Sequence, residues 1–223
     1  MEKEQDFIPF EGDRFLEDEM LKKSQEFYNW ADKRRSVRDF SSKEVPLEIM
    51  ENLIMTASTA PSGANKQPWT FCLISRKELK ATLRKLAEEE EFISYNGRMS
   101  DEWKNELAAL GTNWEKEFID IAPWIVVVMK KVYDIGESEE KQTNYYVAES
   151  VGIAVGILLL AAHNVGLVAL THTPSPMNFI SKALNRPINE RPFLLIPIGY
   201  PAENARIPNL KRKGKKQVIE LYE

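Results

Sequence analysis

Thr143 to Asn164 reads as one helix that is apolar on nearly every side. Such a helix has no solvent face, so the rest of the chain must wrap it. Its longest apolar run, Val151 to Ala162, falls well short of the roughly 20 residues needed to span a bilayer. A buried core helix is expected instead. Within it, Gly152-Ile153-Ala154-Val155-Gly156 sets two glycines four apart, which lets another backbone approach closely. That neighbour is either another helix or a second subunit. With 223 residues, 43% of them apolar, the chain can supply the wrapping as one large domain or two small ones.

Helices and strands alternate around that core. Residues 1–12 read as an extended arm, and Asp13 is placed to cap a helix running to about Lys33. Pro46 opens a second helix, with Leu47, Met50, Leu53, Ile54 and Ala57 at helical spacing. Pro68 to Ser75 reads as a strand. Ser75-Arg76-Lys77-Glu78 fits a capping box, and the helix it opens runs into the acidic Glu88-Glu89-Glu90-Glu91. Residues 92–115 have weak periodicity and glycines near both ends, as a lid would. Trp124 to Lys130 is a strand, Tyr133 to Gln142 a charged surface loop, and Gly166 a helix C-cap. Leu167 to Thr171 and Phe193 to Gly199 are two further strands, with a helix from Ser175-Pro176 to about Asn185 between them. The extension, about 200–223, ends in Val218 to Tyr222, which could add an edge strand. The expected class is α+β (α/β layered), with a central sheet wrapped by helices.

Several function classes are disfavoured. A net charge of -4 does not favour nucleic acid or an anionic membrane surface. One cysteine, Cys72, permits no intrachain disulfide and fits a reducing compartment. The two histidines, His163 and His172, have no zinc-site spacing, and no metal is expected. The N-terminus has no apolar signal region, so a cytoplasmic protein is expected. There is no G-x-G-x-x-G after a strand, no P-loop, and no evident nucleophilic triad.

What chemistry remains lies in three stretches. Lys33-Arg34-Arg35-Ser36-Val37-Arg38 combines planar guanidinium forks, which suit phosphates and the edges of heterocycles, with a small hydroxyl. The same residues would serve equally as a basic helix end. The second stretch is Ala60-Pro61-Ser62-Gly63-Ala64-Asn65-Lys66-Gln67-Pro68-Trp69. The third, Thr171-His172-Thr173-Pro174-Ser175-Pro176, is a polar loop directly after an apolar strand, where ligands commonly bind.

Arg34 to Arg38 together with Pro61 to Trp69 resemble the FMN-dependent nitroreductase superfamily. Glu91 with Tyr95, Thr112-Asn113-Trp114-Glu115-Lys116, and Pro208 to Lys213 are similar to one branch, the iodotyrosine deiodinases. The likeness covers roughly residues 20–215. It implies a single FMN-binding nitroreductase-like domain over residues 1–223, with a central mixed sheet, in an intertwined homodimer with FMN at each subunit interface. By similarity Arg34, Arg35, Ser36 and Arg38 hold the FMN phosphate and the flavin's polar edge. Ser62 lies near the rings. Thr171, His172 and Thr173 line the other edge, with the Thr173 hydroxyl on flavin N5. Arg212 reaches FMN from the tail. Vertebrate members carry threonine at the position of His172, and an N-terminal membrane anchor.

Glu91 and Tyr95 are four apart, so on a continuing helix they share a face, and Lys116 comes from beyond the lid. A carboxylate, a phenol and an ammonium closing on one spot suit a zwitterionic amino acid. Glu91 would take its ammonium, and Lys116 and Tyr95 its carboxylate. The resemblance implies reductive dehalogenation of a halotyrosine, with the Ala64 N–H on the phenolate oxygen. The electron donor, NAD(P)H-linked or a separate reductase, is left open. The alternatives are a nitroreductase or flavin reductase using NAD(P)H on nitroaromatics or quinones, and a non-catalytic protein that binds flavin or an aromatic amino acid.

Overall fold

The computed structural model describes residues 7–136 and 139–223, which fall into two compact units, Met1–Arg34 and Arg35–Glu223. In the first unit, residues 7–16 carry neither helix nor strand, and α1 spans Glu17–Ala31. Asp13 is not its cap. Leu16 holds the extended N-cap position without a side-chain bond, and Glu17, Asp18 and Glu19 put negative charge on the first turn. No residue of α1 is buried within the chain, although it carries Met20, Leu21, Phe27 and Tyr28. A helix of this length draws little stability from propensity alone, so its apolar side chains need a partner.

The second unit is built on a four-stranded sheet in the order β1-β2-β6-β5. The strands are β1 (Trp69–Ile74), β2 (Trp124–Lys131), β5 (Val168–Ala169) and β6 (Glu190–Gly199), each antiparallel to its neighbour. An isolated bridge from Ser36 to Ala169 adds a parallel contact. β2 is buried on both faces, and its alternation divides the core in two. Val126 and Val128 pack with Met50, Leu53, Ala57, Val151, Ala154 and Leu158 of α2 (Leu47–Ala57) and α6 (Val147–Asn164). Ile125, Val127 and Met129 pack with Leu83, Ala87, Ile119 and Ile180 of α3 (Lys77–Ile93), α5 (Phe118–Ile121) and α7 (Asn178–Ala183). The outcome is three layers, helices over both faces of one sheet. Each fully buried aliphatic side chain contributes about 1.5–3 kcal/mol.

Several details depart from the sequence reading. Arg76, not Ser75, is the N-cap of α3, and no side chain caps it; Arg76 takes up the extended backbone that a cap requires. Tyr133–Ile135 and Lys141–Thr143 are not a plain loop but a hairpin, β3 and β4, in which Tyr133 pairs with Thr143 and Ile135 with Lys141. The helix expected from Ser175-Pro176 begins only at Asn178. The chain end forms no edge strand: α8 spans Lys215–Val218, and Ile219 to Glu223 are irregular and exposed.

α6 starts at Val147 and not at Thr143, which belongs to β4, because Tyr146 before it is left-handed, with φ 48°. It ends as expected. Gly166 takes φ +77°, and the Gly166 and Leu167 N–H groups donate to the His163 and Ala162 carbonyls. α6 is long and apolar enough to cross a membrane by length and composition alone. Here one face packs on α2 and the sheet. Gly152, Ile153 and Gly156 lie exposed on another, with nothing within 4 Å of a Cβ built on either glycine.

Candidate active site

The acidic end of α3 does not stop at Glu91. The helix runs on to Ile93 and passes into a π-helical turn, Ser94–Arg98, so Glu91 and Tyr95 remain on one continuous helical path. Next comes α4, Asp101–Ala109, whose first turn is capped by the Ser100 hydroxyl accepting from the Trp103 N–H. The segment read as a lid is therefore mostly helical. Phe92 and Trp114 clasp its two ends edge to face, 5.5 Å between ring centroids.

Lys116 follows that segment and is 3% exposed. Its ammonium lies 3.5 Å from the Glu91 carboxylate, itself 12% exposed, and donates to the Asn113 carbonyl. It also sits 5.8 Å from the centre of the Tyr95 ring. Glu88 fixes the Lys116 backbone, accepting its N–H at 2.7 Å, and is itself held by Arg84 at 2.8 Å. Arg84 in turn pairs with Asp120 at 3.0 Å. Glu88 and Asn113 hold Lys116 in place, a part that the sequence reading, which quoted both residues, did not assign them. Only the Arg84–Glu88 spacing of four was visible there.

Burial pushes the Glu91 carboxyl up and the Lys116 ammonium down, and their mutual attraction opposes both shifts. The Tyr95 phenol is raised by burial and by Glu91, with Arg38 acting the other way. His172 is lowered to about 3 by burial and by the positive charges of Lys116 and Arg38, so it is neutral near pH 7. Its ring packs edge-on against Phe118 at 5.5 Å, and its backbone exchanges two hydrogen bonds with Leu195, each 2.9 Å.

Arg38, Glu91, Tyr95, Lys116 and His172 thus form one electrostatic cluster. Four buried side-chain polar atoms lack a hydrogen-bond partner among the described residues, and three belong to it: Arg38 Nε, Tyr95 Oη and His172 Nε2. Such atoms are normally satisfied, so their gathering marks a place built to receive polar ligand groups.

The other expected residues of the second unit lie on the loops and bridges that flank the sheet. Arg35 Nη2 donates to the Leu210 carbonyl at 3.1 Å, which anchors the tail two residues before Arg212. Ser36 bridges to Ala169, and Thr171 and Thr173 are exposed on either side of His172. Arg34 closes the first unit, its N–H donating to the Ala31 carbonyl at 3.1 Å.

The Ser62 hydroxyl accepts from the Gln67 N–H at 2.9 Å and closes a short loop. Inside that loop Ala64, Asn65 and Gln67 all take positive φ, 48°, 51° and 46°. For non-glycine residues this conformation is costly, about 1 kcal/mol or more each, and it concentrates at ligand sites. Gly63 is required here, because a Cβ would fall 2.9 Å from the Tyr145 carbonyl oxygen.

The nitroreductase family model matches residues 31–200, a span that takes in the strained loop, the cluster and the sheet. Iodotyrosine deiodinase of Haliscomenobacter hydrossis is 58% identical over 216 residues, covering 97% of both chains. The chain belongs to the nitroreductase family, in its iodotyrosine deiodinase branch. The human iodotyrosine deiodinase 1 is 45% identical over 95% of this chain and 74% of its own. A crystal structure of oxidized iodotyrosine deiodinase bound to FMN and 3-iodo-L-tyrosine superposes with a TM-score of 0.75. It shares 32% identity over 88% of this chain and 98% of that one.

Proposed function

We propose that the chain is an FMN-dependent oxidoreductase that removes halide from halotyrosines. The observation that carries this reading is the buried Glu91–Lys116 pair beside the unpartnered Tyr95 hydroxyl, in a chain whose relatives are iodotyrosine deiodinases. A carboxylate and an ammonium brought within 3.5 Å can grip the two ends of an amino-acid zwitterion, and a nitroaromatic offers neither charge.

The residues present fit FMN. Arg34, Arg35, Ser36, Arg38 and Arg212 would hold its phosphate and polar edge, Ser62 its ring system, and Thr171, His172 and Thr173 the opposite edge. The Arg38 and His172 nitrogens without partners are two of the atoms such a ligand would satisfy. Bound there, FMN supplies the two electrons that replace a carbon–halogen bond by carbon–hydrogen. The chain's own part is to bind and orient. Glu91 accepts the substrate ammonium, and Lys116 and Tyr95 donate to its carboxylate. The left-handed Ala64 offers its backbone N–H to the phenolate oxygen, favouring the ionised phenol. Thr173, exposed beside His172, would offer its hydroxyl to the flavin edge at N5. Residues 92–115 close over the site and exclude water.

The working unit in this reading is a homodimer. Support comes from apolar side chains exposed among the described residues: Met20, Leu21, Phe27 and Tyr28 of α1, Ile153 between Gly152 and Gly156 of α6, and Val218, Ile219, Leu221 and Tyr222. A separate reductase or an NAD(P)H-linked donor would return the electrons.

Glu91→Gln tests the assignment against a general nitroreductase. It should lower kcat/KM for 3-iodotyrosine by about 100-fold or more, the loss of one buried charge-assisted contact. Reduction of a simple nitroaromatic should change less than about threefold. Parallel loss of both activities would overturn the assignment of Glu91 to the substrate.

A further inference from the structure

The two residues assigned to opposite ends of the substrate are, without a ligand, each other's partner. Glu91 and Lys116 pair at 3.5 Å, with 12% and 3% of their side chains exposed. Among the described residues, Lys116 is the cation that acts on Glu91, and Glu88 is the other carboxylate that acts on Lys116. Glu88, one turn before Glu91, is committed to the Lys116 N–H and to Arg84, and Arg84 is committed to Asp120. Beyond Glu91, the Lys116 ammonium has the Asn113 carbonyl, which solvates the charge without neutralising it. Arg38 adds a second positive charge to the same cluster.

We propose that the internal Glu91–Lys116 ion pair latches the site against any ligand bearing only one of the two charges. The latch deepens the halotyrosine reading and rests on it. A zwitterion exchanges one ion pair for two: its ammonium takes Glu91 while its carboxylate takes Lys116 and the unpartnered Tyr95 hydroxyl. A ligand with a carboxylate alone can claim Lys116 only by stranding Glu91 as a buried, unpaired carboxylate. A ligand with an ammonium alone pulls Glu91 away and leaves the buried Lys116 beside Arg38 with only the attraction of Glu88, which Arg84 already shares. Removing one partner of a buried pair costs far more than the pair contributes. Selection against the wrong ligand is therefore built into the ligand-free chain, before any contact with the aromatic ring.

The latch makes a crossed prediction that a simple list of substrate contacts does not. Removing one member frees the other for a ligand of single charge. The test uses the FMN-loaded protein and follows quenching of flavin fluorescence. The titrants are 3-iodo-L-tyrosine, 3-iodotyramine and 3-(3-iodo-4-hydroxyphenyl)propanoate. The unaltered protein should bind both single-charge analogues about 100-fold more weakly than iodotyrosine. In Glu91→Gln, iodotyrosine should weaken by about 30-fold or more, whereas the propanoate should bind about 10-fold tighter than it does to the unaltered protein. Lys116→Met should mirror this, with a gain for iodotyramine. It also decides the matter if Glu91→Gln fails to retain flavin.

The latch is overturned if neither variant gains affinity for its single-charge analogue. It is equally overturned if the unaltered protein binds the analogues within a few-fold of iodotyrosine. In either case tight binding of iodotyrosine leaves the halotyrosine reading standing. Failure of iodotyrosine to bind the unaltered protein removes both.

Discussion

His172 gives a prediction whose size follows from its surroundings. Burial and the positive charges of Lys116 and Arg38 bring its imidazole from 6.5 down to about 3. The side chain is enclosed, so solvent screening takes little from that effect. The folded chain therefore refuses a proton that the unfolded chain accepts below roughly pH 6.5. The stability contributed by this refusal is whole above that value and is lost as pH falls from it toward about 3. Integrated from roughly pH 7 to pH 5, the loss is about 2 kcal/mol. For a chain of this size that lowers Tm by about 4–8 °C. His172→Gln keeps a polar side chain of similar bulk but cannot titrate. The assay is urea unfolding without added FMN, at the two pH values, for both proteins. Every other acid-sensitive group is common to them, so the difference of differences isolates residue 172. It should be about 2 kcal/mol, the variant being the less acid-sensitive. Equal losses in the two proteins would refute a neutral, desolvated imidazole held between two cations.

Other consequences are more local. Leu158, fully buried between α6, α2 and the sheet, should cost about 2–5 kcal/mol on replacement by alanine, measured by urea unfolding; a cost well below that range would contradict the packing of α6. Gly156→Leu puts a side chain where the single chain has open space and relieves a helix of a glycine, so the fold should tolerate it. It should nevertheless turn a dimer into a monomer in light scattering behind size-exclusion chromatography, and a dimer that persists would place the interface elsewhere.

The layered core was readable in the chain because β2 is a continuous apolar run and α6 lacks a polar face. Which β2 residues face which helices was not, since an apolar run buried on both sides carries no alternation. The β3–β4 hairpin escaped notice because Tyr133 to Gln142 is charged, and only the pairing of Tyr133 with Thr143 makes it a strand pair. At the site, the spacing of Glu91 and Tyr95 is a property of a helix and shows in sequence. The approach of Lys116 is not, because Glu88 and Asn113 deliver it across a segment with weak periodicity. The left-handed Ala64 could not be foreseen either, since alanine disfavours positive φ and the surrounding loop imposes it. The neutrality of His172 depends on Lys116 and Arg38, distant in the chain and neighbours only after folding.

Anaerobic mixing of the reduced, FMN-loaded protein with 3-iodotyrosine tests the central claim most directly. The account predicts reoxidation of the flavin, with one iodide and one tyrosine released for each flavin. A flavin that stays reduced, with no iodide in solution, would contradict it.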